Sequence, residues 1–127
     1  MTTRPDALAH VHEVACGVLD TTHCYPVVQP TVQEQGQDVF QLPAVVYYAV
    51  GQQSVTPLAG PHVAATAVRY EVRSRSYQGA GGAATLDRAL VSALRQAGRL
   101  TGLLSLVDEY DDERGIYRRI RSVMVRR

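Results

Sequence analysis

The chain has 127 residues, 20% of them charged and 46% hydrophobic, with a formal net charge of +1. That balance excludes a disordered chain, and the small charge with one Phe and no Trp excludes a dedicated nucleic-acid binder of ordinary type. The length suits one domain, 1–127, burying roughly two-thirds of its unfolded surface.

No run of about 18 apolar residues is present, so no membrane span is expected. Met1 to Asp6 lack the basic-then-apolar layout of a signal peptide. Two cysteines without such a leader are expected to be free thiols, Cys16 and Cys24, in a reducing compartment. All 13 basic residues are Arg. Two readings of this stand: Arg suits partly buried, carboxylate-paired sites of an assembling subunit, or a GC-rich coding sequence has displaced Lys. The charge is split. Residues 1–68 hold one Arg and five acids, net −4, and residues 69–127 hold 12 Arg and seven acids, net +5.

In chain order, Pro5 to Asp20 reads as a helix, with Leu8, Val11, Ala15, Val18 and Leu19 on one face. Thr21 to Pro26 end it. Val27 to Val32 form a short strand confined to an edge by Pro30, and Gln33 to Gln41 a polar loop. Leu42 to Val50 is a strand apolar on both parities, so it is expected to be covered on both faces. Gly51 to Pro61 is a loop that could be the tip of an extended hairpin.

Thr66 to Ser76 alternates Val68, Tyr70 and Val72 with Arg69, Glu71, Arg73 and Arg75, the pattern of a half-buried antiparallel strand. Gly79 to Gly82 form a hinge. Thr85 is the expected N-cap, Asp87 complements the helix dipole, and Leu86, Leu90, Ala93, Leu94 and Ala97 make an apolar face closed by Gly98. Leu103 to Tyr110 is a strand, Asp111 to Gly115 a turn, and Ile116 to Val125 a last strand. Its imperfect parity predicts a bulge or an edge position. The expected fold is α+β: a mostly antiparallel sheet with two helices on one face, order α-β-β-β-α-β-β.

Chemistry is sparse. His12 and Cys16 stand at i, i+4, but no third orienting group accompanies them, so Cys16 is expected to fill the core. His10, His12, His23 and His62 with the two cysteines lack zinc spacings, so no metal is expected. Gly79, Gly81 and Gly82 match neither a dinucleotide fingerprint nor a phosphate loop, so no cofactor is expected. The acids at 108–113 lack the alternation of a calcium loop.

The ordered set Leu42-Pro43-Ala44-Val45-Val46-Tyr47, Val68 to Ser76, a Gly/Ala-rich joint with a helix, and Asp108-Glu109-Tyr110-Asp111-Asp112-Glu113-Arg114-Gly115-Ile116-Tyr117-Arg118 resembles the tail terminator (tail completion) proteins of long-tailed bacteriophages. The resemblance spans nearly the whole chain. It implies a structural protein of the virion neck, assembled in the host cytoplasm. Such a protein forms a hexameric ring that caps the tail tube, ends tube polymerisation and offers a docking interface to the head. The implied partners are further copies of the chain, the tail tube protein and a head-completion or neck protein. Double-stranded DNA would pass through the lumen without sequence-specific binding, and no membrane is involved. No catalytic residue and no cofactor are implied. The alternatives are a tail-tube or other neck subunit, or a small ferredoxin-like ligand-binding or enzymatic domain.

Residues 108–113 carry five acids, net −5, and residues 114–127 six Arg, net +6. Head-to-tail ring contacts join unlike surfaces. One expectation is therefore that Asp111, Asp112 or Glu113 of one subunit pairs with Arg119 or Arg121 of the next; the other is a solvated acidic turn beside exposed arginines.

Overall fold

The computed structural model describes residues 6–19, 23–55 and 63–126. Helix α1 (Ala7–Leu19) starts at Asp6, whose Oδ1 accepts the Ala9 N–H at 2.8 Å. It buries Ala7, His10, Val11 and Ala15. Pro5 and Asp20, the expected ends, lie outside the described residues.

The first strand, β1 (Cys24–Pro26), precedes the stretch expected to hold it. Val27 has φ +67°, a conformation that a β-branched residue adopts only under constraint and that ends the strand, so 27–32 is not one. The expected polar loop at 33–41 instead contains a small hairpin, β2 (Val32–Glu34) and β3 (Gln37–Val39). Gln35 and Gly36 both have positive φ at its turn, which matches the twist of a two-residue hairpin.

Strand β4 (Ala44–Val55) follows the cis Leu42–Pro43 bond and runs into the expected loop. It pairs with β5 (Val63–Ser74) from Ala44↔Arg73 to Val55↔Val63, with an irregularity between Ala49 and Gly51. The tip of this hairpin, 56–62, lies outside the described residues.

Helix α2 (Ala83–Gln96) begins one turn ahead of expectation. Its N-cap is Gly82, not Thr85, and no side chain caps it. The carbonyls of Ser76 and Tyr77 accept the Ala83 and Ala84 N–H groups at 2.9 Å, satisfying two of the donors that a helix start leaves open. A β-carbon at Gly82 would lie 2.6 Å from the Gln78 carbonyl oxygen, so this position admits no side chain. Gly98, at φ +80°, closes the helix as expected. Strands β6 (Leu100–Asp111) and β7 (Ile116–Arg126) complete the chain.

The main sheet runs β1-β4-β5-β7-β6. β1 joins β4 in parallel and every other pairing is antiparallel. The last strand is therefore interior, not an edge; the irregular register belongs to β6, at Leu100/Gly102 and Leu103/Ser105, and β6 is the edge. With the hairpin β2–β3 set aside, the α-β-β-β-α-β-β order and α+β class hold. Both helices lie on one face. Leu90 and Leu94 of α2 and Val11 and Ala15 of α1 pack with Val45, Tyr47, Val68, Tyr70, Val72, Val123 and Val125, and Leu86 packs at the margin.

Candidate assembly surface

Among the described residues the most buried charge is Asp87, on α2, which has no solvent exposure. Its turn of helix faces the sheet where β5 and β7 run side by side, with Tyr70 directly opposite Arg121. Tyr70 Oη donates to Asp87 Oδ1 at 2.7 Å. Arg121 Nε donates to both carboxylate oxygens at 3.0 and 3.1 Å, and Arg121 Nη2 to Oδ2 at 2.8 Å. Arg119, two residues earlier on the same face, places Nε 3.6 Å from Asp87 Oδ2 and 3.2 Å from Asp108 Oδ1 on β6. Tyr77 Oη donates to the other oxygen of Asp108 at 2.8 Å. Burial, then the Asp87 charge, raises the Tyr70 phenol above its usual range. Hydrogen bonding to Asp87 holds Arg121 more firmly protonated. An ion pair this dry must keep every partner in place, because each charge left alone would be buried without compensation.

The five residues singled out for a subunit contact thus fall into two groups. Arg119 and Arg121 are largely buried and direct their charge inward, to acids of their own chain. Asp111, Asp112 and Glu113 form the β6–β7 turn, where Asp111 Oδ1 accepts the N–H groups of Glu113 and Arg114 at 3.1 and 3.2 Å. Asp112 and Glu113 are exposed. Among the described residues no ion pair joins the turn to Arg119 or Arg121; across the β6–β7 ladder those two arginines face Asp108 and Leu106.

The strand leading into that turn, expected at Leu103 to Tyr110, is present as β6, but its place as an uncovered edge was not foreseen. The helices pack over β4, β5 and β7. They leave β6 uncovered, and Leu103, Leu104, Leu106, Val107 and Tyr110 are each 40–55% exposed along it. Among the described residues its one strand partner is β7, so a row of its backbone groups faces outward over 12 residues. A long apolar edge of this kind is a template for pairing with another chain. The signal was present in the sequence: Leu103, Leu104, Leu106 and Val107 occupy both parities of a strand, which one covered face cannot bury.

On the face of the sheet away from the helices, Phe40 lies between the guanidinium groups of Arg73 and Arg114, 5.4 and 5.2 Å from its centroid. Beside it an open cleft of about 460 Å³ is lined by Asp38, Phe40, Arg75, Glu113 and Arg114, among others. Its two acids and two arginines balance, and it presents no nucleophile–base pair.

On the helix face, His12 Nδ1 meets the Tyr47 hydroxyl, and the Cys16 sulfur lies 3.6 Å from His12 Nε2. Burial and the neighbouring Cys16 push the Cys24 thiol up to about 12, and burial also raises Tyr47. A reactive thiol needs the opposite shift, toward the thiolate. These groups pack the seam between α1 and β1. Among the described residues no three His, Cys, Asp or Glu side chains converge as a metal cluster.

No protein-family model and no curated protein matches the chain. It is similar to a chain of a solved structure described as "Virion of native gene transfer agent (GTA) particle". That likeness is at 16% identity and a TM-score of 0.45, and covers 96% of this chain and 98% of that one.

Proposed function

We propose that this chain is a structural, non-catalytic subunit of a phage-type virion neck, which assembles into a hexameric ring that caps the tail tube and receives the head. The observation that carries the reading is the uncovered apolar edge of β6, with Leu103, Leu104, Leu106, Val107 and Tyr110 exposed beside a row of open backbone groups. A chain that works alone gains nothing from such an edge and is exposed to aggregation by it; a subunit of a closed assembly covers it with a neighbour. The resemblance of the ordered segments at 42–47, 68–76 and 108–118 to tail terminators supplies the particular assembly. On this reading the tail tube protein lies on one side of the ring, a head-completion protein on the other, and DNA passes through the lumen.

Negative-stain microscopy of the purified chain tests this directly. Discrete rings of six are expected. Open filaments would favour a tail-tube subunit, and a chain that remains monomeric at the highest concentration reached would overturn the reading. In a producing phage, loss of the gene is expected to give tubes of uncontrolled length and heads without tails.

A further inference from the structure

We propose that β6 of one copy adds, as an antiparallel strand, to the open stretch of β4 at residues 48–55 in a second copy, so that neighbours join head to tail through one continuous sheet. The proposal rests on the ring reading above and names the surfaces that meet. Among the described residues the main sheet has two open edges. On one side lies β6. On the other, β1 occupies β4 only at Val45, Val46 and Tyr47, and among the described residues no strand pairs with the outer side of β4 from 48 to 55.

Three observations make these edges fit each other. The first is polarity. β4, β5, β7 and β6 alternate in direction and are four in number, an even count. When such a sheet is repeated side by side, the last strand of one copy runs antiparallel to the first full strand of the next, with no strand reversed.

The second is length and charge. Residues 100–107 carry no charge, and neither do residues 48–55. Eight residues face eight. Antiparallel pairing with Val107 opposite Tyr48 then places the first acid, Asp108, opposite Tyr47. There the edge is already taken, because Tyr47 pairs with Pro26 of β1 and its carbonyl accepts the Val27 N–H at 2.8 Å. The acidic run starts where the docking edge ends, so no charge is buried by the contact.

The third is exposure on both sides of the junction. Leu103, Leu104, Leu106 and Val107 on β6 and Val50 on β4 are 40–55% exposed, and Ala49 is exposed beside it. Pairing of two β6 strands about a twofold axis would cover one edge and leave 48–55 open; it closes at two copies and builds no ring. Head-to-tail addition covers both edges at once.

Cysteine cross-linking of the full chain tests the contact. Leu106→Cys is combined in turn with Tyr48→Cys, Ala49→Cys and Val50→Cys, which allows for the irregular register near Ala49 and Ser105. The single variants and the native chain, with Cys16 and Cys24 only, serve as blanks. An unchanged melting temperature shows that each variant folds. The expected result on oxidation is a covalent ladder reaching six subunits in at least one double variant, strongest for Leu106→Cys with Ala49→Cys, and no ladder in the blanks. A dimer band from Leu106→Cys alone overturns the proposal in favour of twofold pairing. Rings in the microscope with no ladder from any double variant overturn the strand addition and leave the ring reading standing. A native chain that stays monomeric overturns both.

Discussion

Asp87 sits among Tyr70, Arg119 and Arg121, out of reach of bulk solvent. Removing it is expected to be costly for that reason. Asp87→Ala strands the Arg121 guanidinium and should lower stability by about 3–5 kcal/mol, while Tyr70→Phe, which deletes one hydrogen bond, should cost about 1 kcal/mol. Urea unfolding followed by circular dichroism measures both, and equal losses would show that Asp87 is not the hub. Protons linked to folding give a second expectation. Cys24 is raised from the ordinary 9.0 to about 12, chiefly by burial. The native state therefore keeps a proton that the unfolded chain releases above pH 9. Stability is full below 9 and falls between 9 and 12, by up to about 1.4 kcal/mol per pH unit, and Tyr70 adds to the fall in the same sense above 10. Unfolding midpoints on either side of pH 9 check this, and Cys24→Ala should flatten the first part of the decline. The network was half legible in the sequence. Tyr117, Arg119, Arg121 and Val123 share one parity of the last strand, so two arginines stood in line with a core valine. This break in the alternation is the mark of a buried ion pair whose acid comes from 34 residues away.

Among the elements, the two with strong periodicity were readable, and those held by context were not. Val68, Tyr70 and Val72 alternate cleanly and Leu86, Leu90 and Leu94 recur at helical spacing, so the packing of α2 on β5 followed from pattern alone. Leu90 is fully enclosed there, and Leu90→Ala should cost about 2–5 kcal/mol in thermal or urea unfolding. The hairpin β2–β3 carries almost no apolar signal, and its turn at Gln35-Gly36 resembles any polar loop. The start of α2 was misplaced because backbone carbonyls, not a side chain, satisfy its first amides. Gly82→Ala tests that start: the added methyl meets the Gln78 carbonyl, and a loss of about 1–3 kcal/mol is expected, against the gain that alanine for glycine would give on an open helix. For β6 the expectation is reversed. Leu106→Arg adds a charge at an exposed position and should leave the melting temperature of the monomer unchanged while abolishing assembly, as sedimentation at matched concentration would reveal.

For the molecule as a whole, the division of charge between the two halves now has a physical reading. Part of the positive charge in the second half is turned inward, as Arg119 and Arg121 in the Asp87 cluster, while Arg118 pairs at the surface with Glu109 across the strands at 2.7 Å. Charge reversal at Arg121 should therefore unfold the chain rather than merely block a contact, which loss of the circular dichroism signal would show. Assembly through the uncharged segments 48–55 and 100–107 should also depend only weakly on salt, since screening acts on charges and not on apolar edges. The acidic turn, by contrast, lies at the surface. Asp112 and Glu113 extend into solvent directly after the apolar run of β6. Before any neighbour arrives, that run is a sticky sequence on a newly made chain, and the turn is its gatekeeper: like charges on two colliding copies keep them apart in every orientation except the one that slides the acids past the end of the edge. Asp112→Asn with Glu113→Gln should melt like the parent and yet precipitate at lower concentration, because the turn protects solubility and correct assembly while contributing little to the fold.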